Sequence, residues 1–123
     1  MKKNMWLMLA LLVACAGSQG QDVLAPKAFQ KKLSETKNAF LLDVRTPEEI
    51  ANGKIDGANN VVFDGNFAGK LSQIPKQPIF VYCAGGVRSA KAAKILRSNG
   101  YANVYELEGG FNAWLGEKLP VKR

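Results

Sequence analysis

An α/β domain built on a mostly parallel sheet is the fold class this sequence predicts, and three observations predict it. Short apolar runs without polar alternation recur along the chain, as in strands buried on both faces. Segments with helical spacing lie between them, the alternation expected of a parallel sheet with covering helices. A length of 123 residues leaves room for one domain of ordinary size.

The first segment stands outside that domain. Lys2 and Lys3 precede the apolar run Met5–Ala14, and small and polar residues follow from Ala16 to Gln21, the layout of a secretory signal. The run has ten residues, too few for a membrane-spanning helix, which needs about 20. Leu12-Val13-Ala14-Cys15 resembles the lipobox of bacterial lipoproteins, which implies that residues 1–14 are removed and Cys15 is acylated. Ala14-Cys15-Ala16 also fits cleavage after Ala16 by a general signal peptidase, which would give a soluble exported protein. The lipoprotein reading is preferred, because a Cys at that point of a signal has no other evident purpose. Residues 15–24 then form a short tether and residues 25–123 the folded domain. The expected location is the periplasm or the cell surface, with the membrane touched only through the lipid.

Within the domain, Pro26 opens a helix to about Glu35 with Phe29 and Leu33 on one side. Ala39–Val44 is the first buried strand. Pro47 opens a short helix through Ala51, closed by Asn52-Gly53. Asn60–Phe63 is a weaker strand, bounded by Asn and Asp. Ile79–Cys83 is the clearest strand and Ser89–Asn99 the clearest helix. In that helix Ser89, Ala92, Ala93 and Leu96 recur at i, i+3, i+4 and i+7, and Gly100 ends it. Asn103–Leu107 is the last strand. A final helix, Phe111–Leu115, follows Gly109-Gly110 and directs Trp114 at the core.

Composition narrows the chemistry. Removal of Lys2 and Lys3 with the leader lowers the formal net charge from +7 to +5. The cations are scattered and lack the aromatic or glycine-rich interleaving of a nucleic-acid surface, so no nucleic acid is expected. They suit a modest attraction for small anions. The chain has no His, which removes Ser-His-Asp triads, Cys-His pairs and most zinc sites. No metal or cofactor is implied, and a monomer is expected. With Cys15 acylated, Cys83 is the lone thiol of the folded part, either a reactive group or a small buried hydrophobe.

Position favours the reactive reading. Cys83 ends the clearest strand and Ala84-Gly85-Gly86-Val87-Arg88-Ser89 leads into the clearest helix. Ligands of open α/β sheets bind beyond the carboxyl ends of strands. Gly85 and Gly86 permit backbone in which successive N–H groups curl inward, and the helix aims its positive end at the same point. An ordinary thiol is about 3% ionised at pH 7, and lowering its pKa by about two units takes about 2.7 kcal/mol. A helix terminus supplies typically about 0.3–1 kcal/mol and at most about 2. Direct N–H donors must provide the remainder.

The segment Cys83-Ala84-Gly85-Gly86-Val87-Arg88-Ser89 resembles the active-site loop of the rhodanese family, which opens with the catalytic Cys and ends in Arg-Ser. Leu42-Asp43-Val44-Arg45 with Thr46-Pro47-Glu48-Glu49, then Gly57-Ala58 and Asn60, then Glu108-Gly109-Gly110, Trp114 and Leu119-Pro120 resemble further family marks, in order, from about Ala25 to Val121. The resemblance implies a rhodanese-like three-layer fold with about five strands flanked by helices. It implies a sulfurtransferase in which the Cys83 thiolate takes the outer sulfur of thiosulfate or a related donor, expels sulfite and holds a persulfide. A thiol acceptor, such as a thioredoxin-like protein, would then collect that sulfur. One departure is Gly53-Lys54-Ile55, where the family usually has His in place of Lys54.

Four residues separate Cys83 from Arg88, the loop length of the sulfurtransferases; the related phosphatases and arsenate reductases have one more. By the resemblance, backbone N–H groups of Ala84 through Arg88 hold the thiolate and persulfide. Arg88 either binds the sulfonate of thiosulfate or braces the loop through Glu48 or Glu49. Asp43 and Arg45 are candidate supporting residues, with a structural salt bridge as the alternative role. A second function class remains open: a non-catalytic rhodanese module that delivers or senses sulfur for a partner protein.

Overall fold

The computed structural model describes residues 22–123. The leader, the lipidation candidate Cys15 and the first part of the expected tether lie outside the described residues. In chain order the elements are strand β1 (Val23–Leu24), helix α1 (Pro26–Glu35), strand β2 (Phe40–Asp43), helix α2 (Pro47–Ile50), strand β3 (Asn59–Asn60), a 3₁₀ helix (Phe67–Gln73), strand β4 (Ile79–Tyr82), helix α3 (Val87–Ser98), strand β5 (Val104–Leu107) and helix α4 (Gly110–Gly116).

The strands form one five-stranded sheet in the order β1-β5-β4-β2-β3, and every pair is parallel. β4 is central, with Phe40 through Asp43 opposite Ile79 through Tyr82 on one side and Val104 through Glu106 opposite Ile79 through Val81 on the other. All of β4 is buried, which explains why its sequence shows no polar alternation: each face of a central parallel strand meets apolar side chains. Ile79, Val81 and Cys83 join one core with Ala92, Ala93 and Leu96 of α3. Phe80 and Tyr82 join the other with Phe29 of α1 and Phe111 and Trp114 of α4. The two faces carry different sizes. Small α3 residues let that helix sit close, whereas the opposite face packs edge-to-face aromatics, Phe29 against Phe80 at 5.4 Å between ring centres.

Three elements differ from the sequence expectation. The tether, expected to run to Leu24, ends earlier: Val23 and Leu24 pair with Glu106 and Leu107 as edge strand β1, and the Leu24 carbonyl accepts a bond from the Glu108 amide at 2.8 Å. A strand of two residues has no legible period, so only its neighbour β5 defines it. The 3₁₀ helix was also unforeseen; it serves to bury Phe67, and its i→i+3 bonding leaves no 3.6-residue pattern. The weak strand expected at Asn60–Phe63 begins one residue earlier and ends at Asn60, and beyond it the Val61 and Phe63 amides still bond to Asp43 and Val44 carbonyls.

Candidate active site around Cys83

The alternation of β4 decides where the thiol points. Cys83 continues the Ile79–Val81 face, so its side chain lies on the side covered by α3, whose first turn begins four residues later at Val87. Gly86 caps that helix with φ +108, a region that a side chain makes costly. This reversal turns the Gly86 amide onto Sγ at 3.0 Å and brings the Ser89 amide to 3.3 Å. The Ser89 hydroxyl lies 3.4 Å from Sγ and 3.2 Å from the Gly86 carbonyl, within hydrogen-bonding reach of both.

Burial pushes the Cys83 thiol up, yet its pKa is lowered overall, because the Ser89 hydroxyl and the amides of Ser89, Gly86 and Gly85 together outweigh desolvation. Of the expected amide donors Ala84 through Arg88, the hydrogen-bond geometry selects Gly86 and adds Ser89. Val87 and Arg88 occupy the first helical positions, where N–H groups have no intrahelical acceptor. Cys83 itself is 1% exposed, while its loop neighbours Gly85 and Val87 are exposed.

The loop carbonyls are held as firmly as its amides. The Phe111 amide donates to the Cys83 carbonyl at 2.8 Å and the Asn112 amide to the Ala84 carbonyl at 3.0 Å. Gly110, at φ +63, makes that approach possible: a Cβ there would stand 2.5 Å from the Cys83 oxygen and 2.6 Å from the Ala84 oxygen. With carbonyls drawn to α4, the peptide planes leave N–H groups for the sulfur. The Gly109-Gly110 pair is therefore a loop anchor, a role its sequence position alone does not state.

Arg88 is paired with Glu49. Its terminal nitrogens donate to the two carboxylate oxygens of Glu49 at 2.8 and 2.9 Å, a bidentate pair. Glu49 is fixed from the other side by a capping box on α2, accepting from the Thr46 amide at 2.9 Å while the Thr46 hydroxyl accepts from the Glu49 amide at 3.3 Å. The Arg88 guanidinium is the largest cause holding the Glu49 carboxyl down at about 2. Arg88 also lies near enough to feel the charge on Cys83. The sequence signal for this arrangement was the Thr-x-x-Glu spacing of Thr46-Pro47-Glu48-Glu49, which marks Glu49 as the capping partner and thereby singles it out from Glu48.

Asp43 and Arg45 form a separate unit. Arg45 Nη2 donates to Asp43 Oδ2 at 2.8 Å and to the Gly53 carbonyl at 2.9 Å, and the guanidinium lies 4.2 Å over the Phe111 ring. Both side chains are buried, 4% and 1% exposed. The pair ties the end of β2 to the segment after α2. Tyr82 joins this unit: its hydroxyl accepts from the Ile55 amide at 3.1 Å, and burial followed by the Asp43 carboxylate pushes its pKa well up. Lys54 contributes through its backbone, in an antiparallel bridge with Lys122.

Comparison with known proteins agrees with this fold. The rhodanese-like domain family matches residues 25–117. A protein of Allochromatium vinosum named sulfurtransferase is 35% identical over 96 residues, covering 77% of this chain and 89% of that protein. A Shewanella oneidensis protein named thiosulfate sulfurtransferase GlpE is 37% identical over 84 residues, covering 68% and 82% respectively. Among solved structures, a rhodanese-like domain protein of Staphylococcus aureus superposes with a TM-score of 0.69 at 35% identity, covering 83% of this chain and 99% of that one.

Proposed function

The chain belongs to the rhodanese-like domain family, and from that premise we propose that it is a sulfurtransferase carrying sulfane sulfur as a persulfide on Cys83. The observation that carries the reading is the thiol at the carboxyl end of β4 with two amides within 3.3 Å of its sulfur. Such preorganised donors stabilise the thiolate and equally the negative charge of a bound persulfide.

The Cys83 thiolate attacks the outer sulfur of thiosulfate or a related donor; the donor S–S bond breaks, its electron pair leaves with sulfite or a thiolate, and a new S–S bond forms on Sγ. A thiol acceptor then takes the outer sulfur and restores the thiolate. Because Cys83 is buried, the short loop must yield for a donor to reach it. Relatives named sulfurtransferases support the same chemistry.

The test is intact mass after exposure to thiosulfate and to a low-molecular-weight hydropersulfide. One sulfur atom should add, cyanide should remove it, and Cys83→Ser should abolish the gain. Persistence of sulfur transfer in Cys83→Ser would overturn the mechanism. Turnover with small thiols or cyanide separates an enzyme from a module that only passes sulfur to a partner. Export with a lipid on Cys15 belongs to this proposal as well. It rests on the leader sequence and is tested by the N-terminal mass of the mature protein.

A further inference from the structure

We propose that Glu49, by engaging both terminal nitrogens of Arg88, turns the Cys83 site toward hydropersulfide donors (R–S–SH) and away from thiosulfate. The inference rests on the sulfurtransferase reading and names the donor class of that same site.

Charge separates the two donors. Thiosulfate brings two negative charges and must leave as sulfite, also a dianion, so its transition state needs a cation beside the departing sulfonate. A hydropersulfide brings at most one charge. In its transfer Cys83–S⁻ bonds to the outer sulfur, the S–S bond of the donor breaks, and R–S⁻ leaves with its electron pair; the proton stays on the transferred sulfur and no oxidant or reductant is consumed. Such a leaving group asks for far less compensating charge.

The loop supplies little side-chain charge. Ala84, Gly85, Gly86 and Val87 bring no ionisable side chain, and the Gly86 and Ser89 amides are directed at Sγ itself. The loop's own cation is Arg88, and it is held at 2.8 and 2.9 Å by a carboxylate. Glu49 is not a casual partner that an arriving anion could displace, since the Thr46 amide and hydroxyl hold the same carboxylate at 2.9 and 3.1 Å. An incoming sulfonate therefore meets a pair without net charge, one member of which repels it. Beside it Val87 is 68% exposed, an apolar side chain suited to contact an organic R group rather than a sulfonate.

Glu49 acts through Arg88 and is a positioning residue, so its test must read selectivity. Single-turnover formation of the Cys83 persulfide is followed by intact mass for the wild type, Glu49→Gln and Val87→Lys, with thiosulfate and with the hydropersulfide of 2-mercaptoethanol. Glutamine keeps the capping box, and Val87→Lys places a cation at an exposed position without touching the pair. Glu49→Gln should raise the thiosulfate rate relative to the hydropersulfide rate about tenfold, and Val87→Lys should move the ratio the same way. An unchanged ratio in both variants, or equal loss with both donors in Glu49→Gln, overturns the inference while leaving the sulfurtransferase reading intact. Absence of any sulfur on Cys83 from either donor, in every variant, overturns both.

Discussion

Two arginine–carboxylate pairs near the carboxyl end of β4 have the same bidentate chemistry and different consequences. Arg45 and Asp43 are 4% and 1% exposed, whereas Arg88 and Glu49 are each 31% exposed. The first pair has traded water for fixed partners: the Gly53 carbonyl and the Phe111 and Tyr82 rings enclose it. Removing one member strands a buried charge that has lost its countercharge and most of its donors. The second pair keeps solvent on one side, so its loss is repaired by water, and its importance lies in where it puts charge. Depth makes one pair a structural fixture and shallowness makes the other an electrostatic setting of the loop.

Arg45→Ala should therefore show the largest effect, a destabilisation of about 3–5 kcal/mol from an unpaired buried carboxylate, read as a fall in the denaturant midpoint. A loss below that of an ordinary surface change would mean that Asp43 finds another partner and that burial does not separate the pairs. Gly110→Ala comes next, at about 2–4 kcal/mol, because a left-handed φ and a close backbone approach are both violated. It sharpens the contrast by asking what holds the loop. If the exposed pair were the main tie, Arg88→Ala would cost more than Gly110→Ala; the expected order is the reverse, with Arg88→Ala near 1 kcal/mol or less.

Acid titration separates the pairs further. The Glu49 carboxyl is lowered from 4.5 to about 2, so the unfolded chain binds the proton more readily between those values. The stability it contributes is present above about pH 4.5 and is lost as pH falls toward 2. Glu49→Gln should flatten that limb by about 1 kcal/mol, the shift being discounted for solvent screening of a partly exposed pair. The smallest effect is alkaline. The Cys83 pKa is lowered from 9.0, so its contribution is fully present above pH 9.0 and lost as pH falls through the folded value. Cys83→Ser should remove that rise, as midpoints measured across neutral to alkaline pH will show.

Much of this was legible in the chain. The apolar runs around Leu42 and Val81 and the spacing of Ser89, Ala92, Ala93 and Leu96 identified central strands and the close-packed helix, because burial on both faces or on one stripe leaves its period in sequence. The strand Val23–Leu24 left none, since two residues cannot show a period. Arg88 was legible as a loop-end cation with an acidic partner in prospect, but the choice of Glu49 over Glu48 came from a capping box on α2 that presents one carboxylate and not its neighbour.

By itself the sequence determined that a thiol stands at a strand–helix junction, that no His can assist it, and that glycines allow its amides to turn inward. Those are properties of residue type and order, fixed by local sterics. Only the tertiary structure decided which amides reach the sulfur, that Gly110 draws the loop carbonyls to α4, and that Arg88 is already occupied. The last two depend on groups far apart in the chain meeting at hydrogen-bond distance, and the first on exact backbone angles in a short loop; neither is what a linear pattern encodes.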